Sequence, residues 1–134
     1  MIFSVLVEQH LIGEAKHFGA HSPEKEHLVV IFEDDGETGY FYAMDLNQPE
    51  QAIVDSLYVY AVESIENRKE PRQFQLCWNE AGTMGFLVIN GYPHAAFDFE
   101  RLVGYNHSKF PMPDLSSMWS HEEISEQLVE TWLG

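Results

Sequence analysis

The chain has 134 residues, and 7 Lys and Arg against 22 Asp and Glu give a formal charge of −15 in a sequence that is 45% hydrophobic and 13% aromatic. A chain of this length can bury about two-thirds of its unfolded surface in one core, so residues 1–134 read as a single folded domain and not as an acidic disordered tail. So negative a field repels phosphate backbones and anionic headgroups, which argues against nucleic-acid binding and against adsorption to a membrane surface.

The apolar start, Ile2 to Val7, has no basic leader and runs into Glu8. It reads as a half-buried strand with Phe3, Val5 and Val7 on one side, and not as a signal peptide. Residues 9–26 hold His10, His17 and His21 among Gly13, Gly19 and Pro23, and read as an irregular connection with room for one more short extended piece. Leu28-Val29-Val30-Ile31-Phe32 is continuous, β-branched and aromatic, as expected of a central strand covered on both faces. Asp34-Asp35-Gly36-Glu37-Thr38-Gly39 supplies turn residues, and Tyr40-Phe41-Tyr42-Ala43-Met44 follows, which predicts a hairpin.

Pro49 near a first helical position, with Ile53, Val54 and Leu57 beyond it, predicts a short helix over about 49–56. Tyr58 to Val62 resumes a strand pattern. A solvated loop with Arg68, Lys69 and Arg72 leads into Phe74, Leu76 and Trp78 alternating with polar neighbours. Two further strands, Phe86–Ile89 and Ala95–Phe99, joined through Asn90-Gly91, complete a meander. Pro111 and Pro113 forbid a central strand in the loop after Gly104. Ser120 and Glu123 have capping-box spacing, and Ile124, Leu128 and Trp132 recur every four residues, which predicts a helix over about 121–133. The expected fold is α+β: a mostly antiparallel sheet of about six or seven strands, with the short helix and the longer C-terminal helix packed on one face.

The string Phe32-Glu33-Asp34-Asp35-Gly36-Glu37-Thr38-Gly39-Tyr40-Phe41-Tyr42-Ala43 resembles the signature of a family of small bacterial proteins classed as a domain of unknown function. The spacing to Tyr58-Val59-Tyr60 and to the Asn90-Gly91 hairpin is similar too, so the resemblance covers roughly His27 to Pro111. It implies kinship and brings no activity, substrate or catalytic residue with it.

Two surfaces stand out from the residues themselves. Glu33, Asp34, Asp35 and Glu37 crowd one turn, and Glu122, Glu123, Glu126 and Glu130 crowd the expected last helix without an offsetting base. The turn lacks the alternating ligand spacing of a calcium loop, so solvated charge or contacts to a basic partner account for it better than a cation does. His17 and His21 are four apart but flank Gly19, which supports no helical metal site. Cys77 cannot form an internal disulfide, fits a reducing cytosol and reads as a structural thiol. Tyr40 with Tyr42, and Tyr58 with Tyr60, form two aromatic ladders that make one wall if their strands are neighbours.

No motif of nucleophilic hydrolysis or phosphate cradling is present, and catalytic residues, cofactors and metal ligands are not expected. The leading expectation is a non-enzymatic cytoplasmic binding module whose acidic surface engages a basic protein partner, in one form an immunity-type inhibitor of a toxin nuclease. The alternatives are a small-ligand protein or hydrolase with a tyrosine-lined groove beside the acidic turn, and a structural homodimer subunit.

Overall fold

A computed structural model describes residues 1–134. Ten strands are followed by one helix: β1 (Ile2–His10), β2 (Lys16–His21), β3 (Leu28–Asp34), β4 (Thr38–Asp45), β5 (Ile53–Ala61), β6 (Arg72–Asn79), β7 (Met84–Ile89), β8 (Tyr92–Asp98), β9 (Val103–Asn106), β10 (Ser120–Glu123) and α1 (Glu126–Leu133). Strands hold 51% of the residues, in two sheets, so the α+β expectation is overturned and the fold is mostly β. One sheet has the order β1-β6-β7-β8-β9-β10 and the other β2-β3-β4-β5.

The sheets face each other across a shared core. Phe18, Val30, Phe32, Phe41 and Leu57 from the four-stranded sheet meet Phe74, Leu76, Trp78, Leu87 and Phe97 from the six-stranded one. The far face of the six-stranded sheet carries Phe86, Val88, Ala96 and Tyr105, and α1 covers it with Val129 and Trp132. No helix or strand packs over the far face of the four-stranded sheet. That asymmetry places the candidate site.

The hairpin β3–β4 forms as expected, pairing Leu28 with Asp45 through Asp34 with Gly39. So does the antiparallel run β6-β7-β8, whose turn residues Asn90 and Gly91 both take positive φ. β3 is interior to its sheet, but the second sheet covers one of its faces, not both: Val30 and Phe32 are fully buried, whereas Ile31 is partly exposed.

Both predicted helices need correction. The short helix over about 49–56 does not exist; residues 46–52 are turn and bend, and β5 begins at Ile53. The spacing of Ile53, Val54 and Leu57 fits a helix, but pairing with β4 and burial of Leu57 in the sandwich prevail over that local signal. The C-terminal helix is also shorter than expected. Ser120–Glu123 is a strand, paired in parallel with Val103–Asn106 of β9, and Ser125, not Ser120, caps the helix, its side chain accepting from the Leu128 N–H. The Ile124, Leu128 and Trp132 stripe does pack on the six-stranded sheet.

At the N-terminus, β1 is an edge strand with a register shift between Ser4 and Leu6. Phe3, Val5 and Val7 are left partly exposed, and Leu6 and His10 turn inward instead.

Candidate functional site

The acidic turn divides into an inner and an outer part. Asp34, the last residue of β3, is buried, and its Oδ2 accepts from the Gly13 N–H (2.8 Å) and the Tyr60 hydroxyl (2.7 Å) and lies 3.0 Å from His10 Nε2. Its Oδ1 accepts from the Gly36 N–H at 2.9 Å. Burial works to raise the Asp34 pKa, but the bonds from Gly13, His10, Tyr60 and Gly36 outweigh it and hold the carboxyl below its ordinary value. The same arrangement pushes the Tyr60 hydroxyl up, through burial first and the Asp34 hydrogen bond and charge second. His10 is enclosed by Phe18, Phe32 and Phe74, the last at 5.1 Å edge to face, and its Nδ1 has no partner. Histidine, carboxylate and tyrosine are thus joined but sealed from solvent, an arrangement that fixes the fold and offers no substrate access.

The outer part of the turn is solvent-facing. Asp35 Oδ1 accepts from the N–H groups of Glu37 and Thr38, which shapes the turn and lowers its own pKa. Glu33 and Glu37 are exposed. Of the four acids read from this turn, Asp34 is therefore internal, and Glu33, Asp35 and Glu37 remain at the surface.

Beside them lies an aromatic array on the uncovered face of the four-stranded sheet. Tyr40 and Tyr42 stack with centroids 6.2 Å apart, Tyr40 meets Tyr58 edge to face at 5.8 Å, and Tyr58 meets Phe110 edge to face at 6.0 Å. The Tyr42 hydroxyl donates to Glu33 Oε1 at 3.2 Å. Partial burial, with the Glu33 charge and hydrogen bond next, pushes Tyr42 up to about 12, so the phenol stays a neutral donor.

Tyr60 leaves the expected wall. Gly39 pairs with Tyr60 and Tyr40 with Tyr58, so Val59 is an extra residue in β5, and this bulge turns Tyr60 into the core. Its ring lies over Gly39, where a Cβ would sit 2.8 Å from Tyr60 Cζ. Phe110, from the loop after β9, takes a place in the array that the sequence did not assign to it.

The C-terminal acids lie elsewhere. Glu122 and Glu123 are exposed on β10, Glu130 is exposed on α1, and Glu126 accepts from the Tyr92 hydroxyl at 3.1 Å. Glu126 and Glu130 lie on α1, on the far side of the six-stranded sheet from the shared core, whereas Glu122 and Glu123 flank His121 on β10, whose ring reaches Asp55 of β5.

Three histidine arrangements escaped the sequence. His10 is the buried partner of Asp34. His121 Nε2 lies 2.7 Å from Asp55 Oδ2 while its Nδ1 lies 3.0 Å from the Lys109 carbonyl, and an acceptor at each nitrogen favours the protonated ring over the neutral one. His94 Nδ1 lies 3.0 Å from His107 Nε2, and burial, with the His107 charge second, pulls His94 down to about 4. His17 and His21 are both exposed on β2, and no three His, Cys, Asp or Glu side chains are grouped so as to hold a metal ion. Burial pushes the Cys77 thiol up to about 11, the environment of a structural cysteine and not of a reactive thiolate. No helix is long and apolar enough to cross a membrane.

Comparison with known proteins gives kinship without an activity. Residues 10–133 match the family described as an uncharacterized protein conserved in bacteria (DUF2251), a span wider than the His27 to Pro111 resemblance. A Haemophilus influenzae protein described as uncharacterized is 54% identical over 134 residues, an alignment that takes in 100% of this chain and 83% of the relative's length. No solved structure matches.

Proposed function

We propose that this chain, which belongs to that family of uncharacterized bacterial proteins, is a non-enzymatic binding module that docks a basic protein partner on the outer face of its four-stranded sheet. The observation that carries this reading is the array of Tyr40, Tyr42, Tyr58 and Phe110, left without a covering layer and edged by the Glu33 carboxylate. Tyrosine rings are stiff and amphipathic, which suits them to interface anchors, and an Arg or Lys laid over them gains a cation–π contact worth about 0.5–2 kcal/mol. Glu33 supplies the counter-charge, and the net charge of −15 steers a cationic surface toward it. An immunity-type inhibitor that covers the cationic site of a toxin nuclease is a concrete form of such a module, and the lone free cysteine suits a reducing cytoplasm.

The hydrolase or small-ligand reading has less behind it, because Tyr60 has turned inward and the Asp34 carboxylate is committed to four internal partners.

A pull-down from host lysate at low and at physiological ionic strength tests the proposal. A basic protein should be retained at low salt, released at higher salt, and lost when the bait carries Tyr40→Ala with Tyr58→Ala. Retention that ignores those substitutions would remove the aromatic face from the interface.

A further inference from the structure

The connection 107–119 between β9 and β10 is long against the roughly 4–6 residues usual for a link between elements, and its two ends are held firmly. At one end buried Asn106 donates through its amide to the carbonyls of Tyr58 and Phe110, both at 2.8 Å, and accepts from the Lys109 N–H at 2.6 Å. The Phe110 carbonyl also accepts from the Tyr58 N–H, and His121 ties the Lys109 carbonyl to Asp55. At the other end Trp119 is buried against Phe97 and Phe99. Between these anchors Met112 and Met118 are 85% and 83% exposed, and Leu115 is fully exposed.

Three large apolar side chains displayed on a segment anchored at both ends are not explained by the core. Held in place, they lose less freedom on binding than a slack loop would, and methionine adapts to varied apolar partners. Beside them opens a cleft of about 610 Å³, with Leu28, Ile53, Val54, Phe99, Leu102 and Met118 among its walls. Asp45, Glu100 and Asp114 line the same cleft against a single cation, Lys25.

We propose that this loop and cleft form a second docking surface, adjoining the aromatic face at Phe110 and extending away from it, for a polypeptide segment in which Lys or Arg alternates with apolar residues. The apolar residues meet Met112, Leu115 and Met118, and the cations meet the three carboxylates. Charge selects the occupant: a second copy of this chain would bring another −15 to the contact, and an acidic peptide would face the same repulsion.

The methionines allow a test that locates binding. In the protein labelled with ¹³C at its methionine methyls, Met112 and Met118 report this loop. Met84 beside the α1 core is a reference, and Tyr40→Ala with Tyr42→Ala, which strips the aromatic face, should leave the Met112 and Met118 shifts in place. The probe is an eight-residue peptide of alternating Lys and Leu, and its comparator replaces each Lys by Glu, both at an ionic strength of about 0.15 M. The lysine peptide should shift Met112 and Met118 and leave Met84 unmoved. Leu115→Ser, a change at a fully exposed site that alters no charge, should weaken this binding at least about fivefold. The proposal is overturned by an absence of shifts at Met112 and Met118, by equal shifts from the glutamate peptide, by loss of the shifts in Tyr40→Ala with Tyr42→Ala, or by unchanged affinity in Leu115→Ser. Loss of the shifts in that double variant would assign the peptide to the aromatic face, so the two proposals fail separately.

Discussion

At the scale of single residues, the buried carboxylate of Asp34 concentrates most at stake. Removing it strands the Tyr60 hydroxyl and His10 Nε2 inside the protein and takes the acceptor from the part-buried N–H groups of Gly13 and Gly36. Asp34→Ala should therefore destabilise the fold by about 3 kcal/mol, read as a shift in denaturant midpoint, whereas Asp35→Ala in the exposed turn should cost far less. Equal costs would mean that the inner and outer acids have been wrongly distinguished. The sequence showed Asp34 as one acid among four because its partners His10 and Gly13 lie 24 and 21 residues upstream, beyond any local pattern. His121 gives a second test. Burial works to lower its pKa, but the hydrogen bond and charge of Asp55, with backbone carbonyl contacts, raise it above 6.5. The folded state then holds the proton more tightly than the unfolded chain does, so the stabilisation is complete below about pH 6.5 and is lost as pH rises through the folded value. In a thermal-melt series upward from pH 6, the native protein should lose stability relative to His121→Gln, a difference that cancels the opposite contribution of His94, present in both. Parallel profiles would sink the assignment.

At the scale of elements, the hairpin β3–β4 and the β6-β7-β8 run were legible because alternation and turn residues agree with the tertiary pairing. The errors fall where a non-local partner decides. Ile53, Val54 and Leu57 satisfy a helical spacing, yet β4 recruits them into a strand. Val59 looks like any strand residue, and its role as the extra residue of a bulge, which sends Tyr58 outward and Tyr60 inward, depends on register with Gly39 and Tyr40. Ser120 to Glu123 carry a helix-start pattern, but β9 presents a free edge and takes them as a parallel strand. The true cap is Ser125, whose Oγ accepts from the Leu128 N–H at 3.1 Å. Ser125→Ala should thus cost about 1 kcal/mol by chemical denaturation, and Ser120→Ala less than about 0.5 kcal/mol. The reverse order would restore the capping box that the sequence suggested.

At the scale of the whole molecule, charge and apolar exposure work against each other. Phe3, Val5 and Val7 on the β1 edge, the tyrosine face, and Met112, Leu115 and Met118 all offer surface that would favour association. Two like molecules carrying −15 each repel, whereas the cationic partner we propose would be drawn in, so one charge would separate self from partner. The sequence located the acids in the chain but could not say that the sandwich puts Glu33 and Glu37 on one layer and Glu126 and Glu130 on another, because that follows from which sheet α1 covers. Ionic strength should consequently move the two kinds of association in opposite directions. As the screening length falls from about 30 Å at 0.01 M to about 8 Å at 0.15 M, the on-rate for a basic partner should drop about tenfold or more. Over the same range, any self-association of the isolated protein seen by sedimentation should grow, from a monomer at low salt. Dimers that form at low salt and dissociate as salt is added would instead mean that opposite charges meet between copies and that like-charge repulsion does not govern self-association.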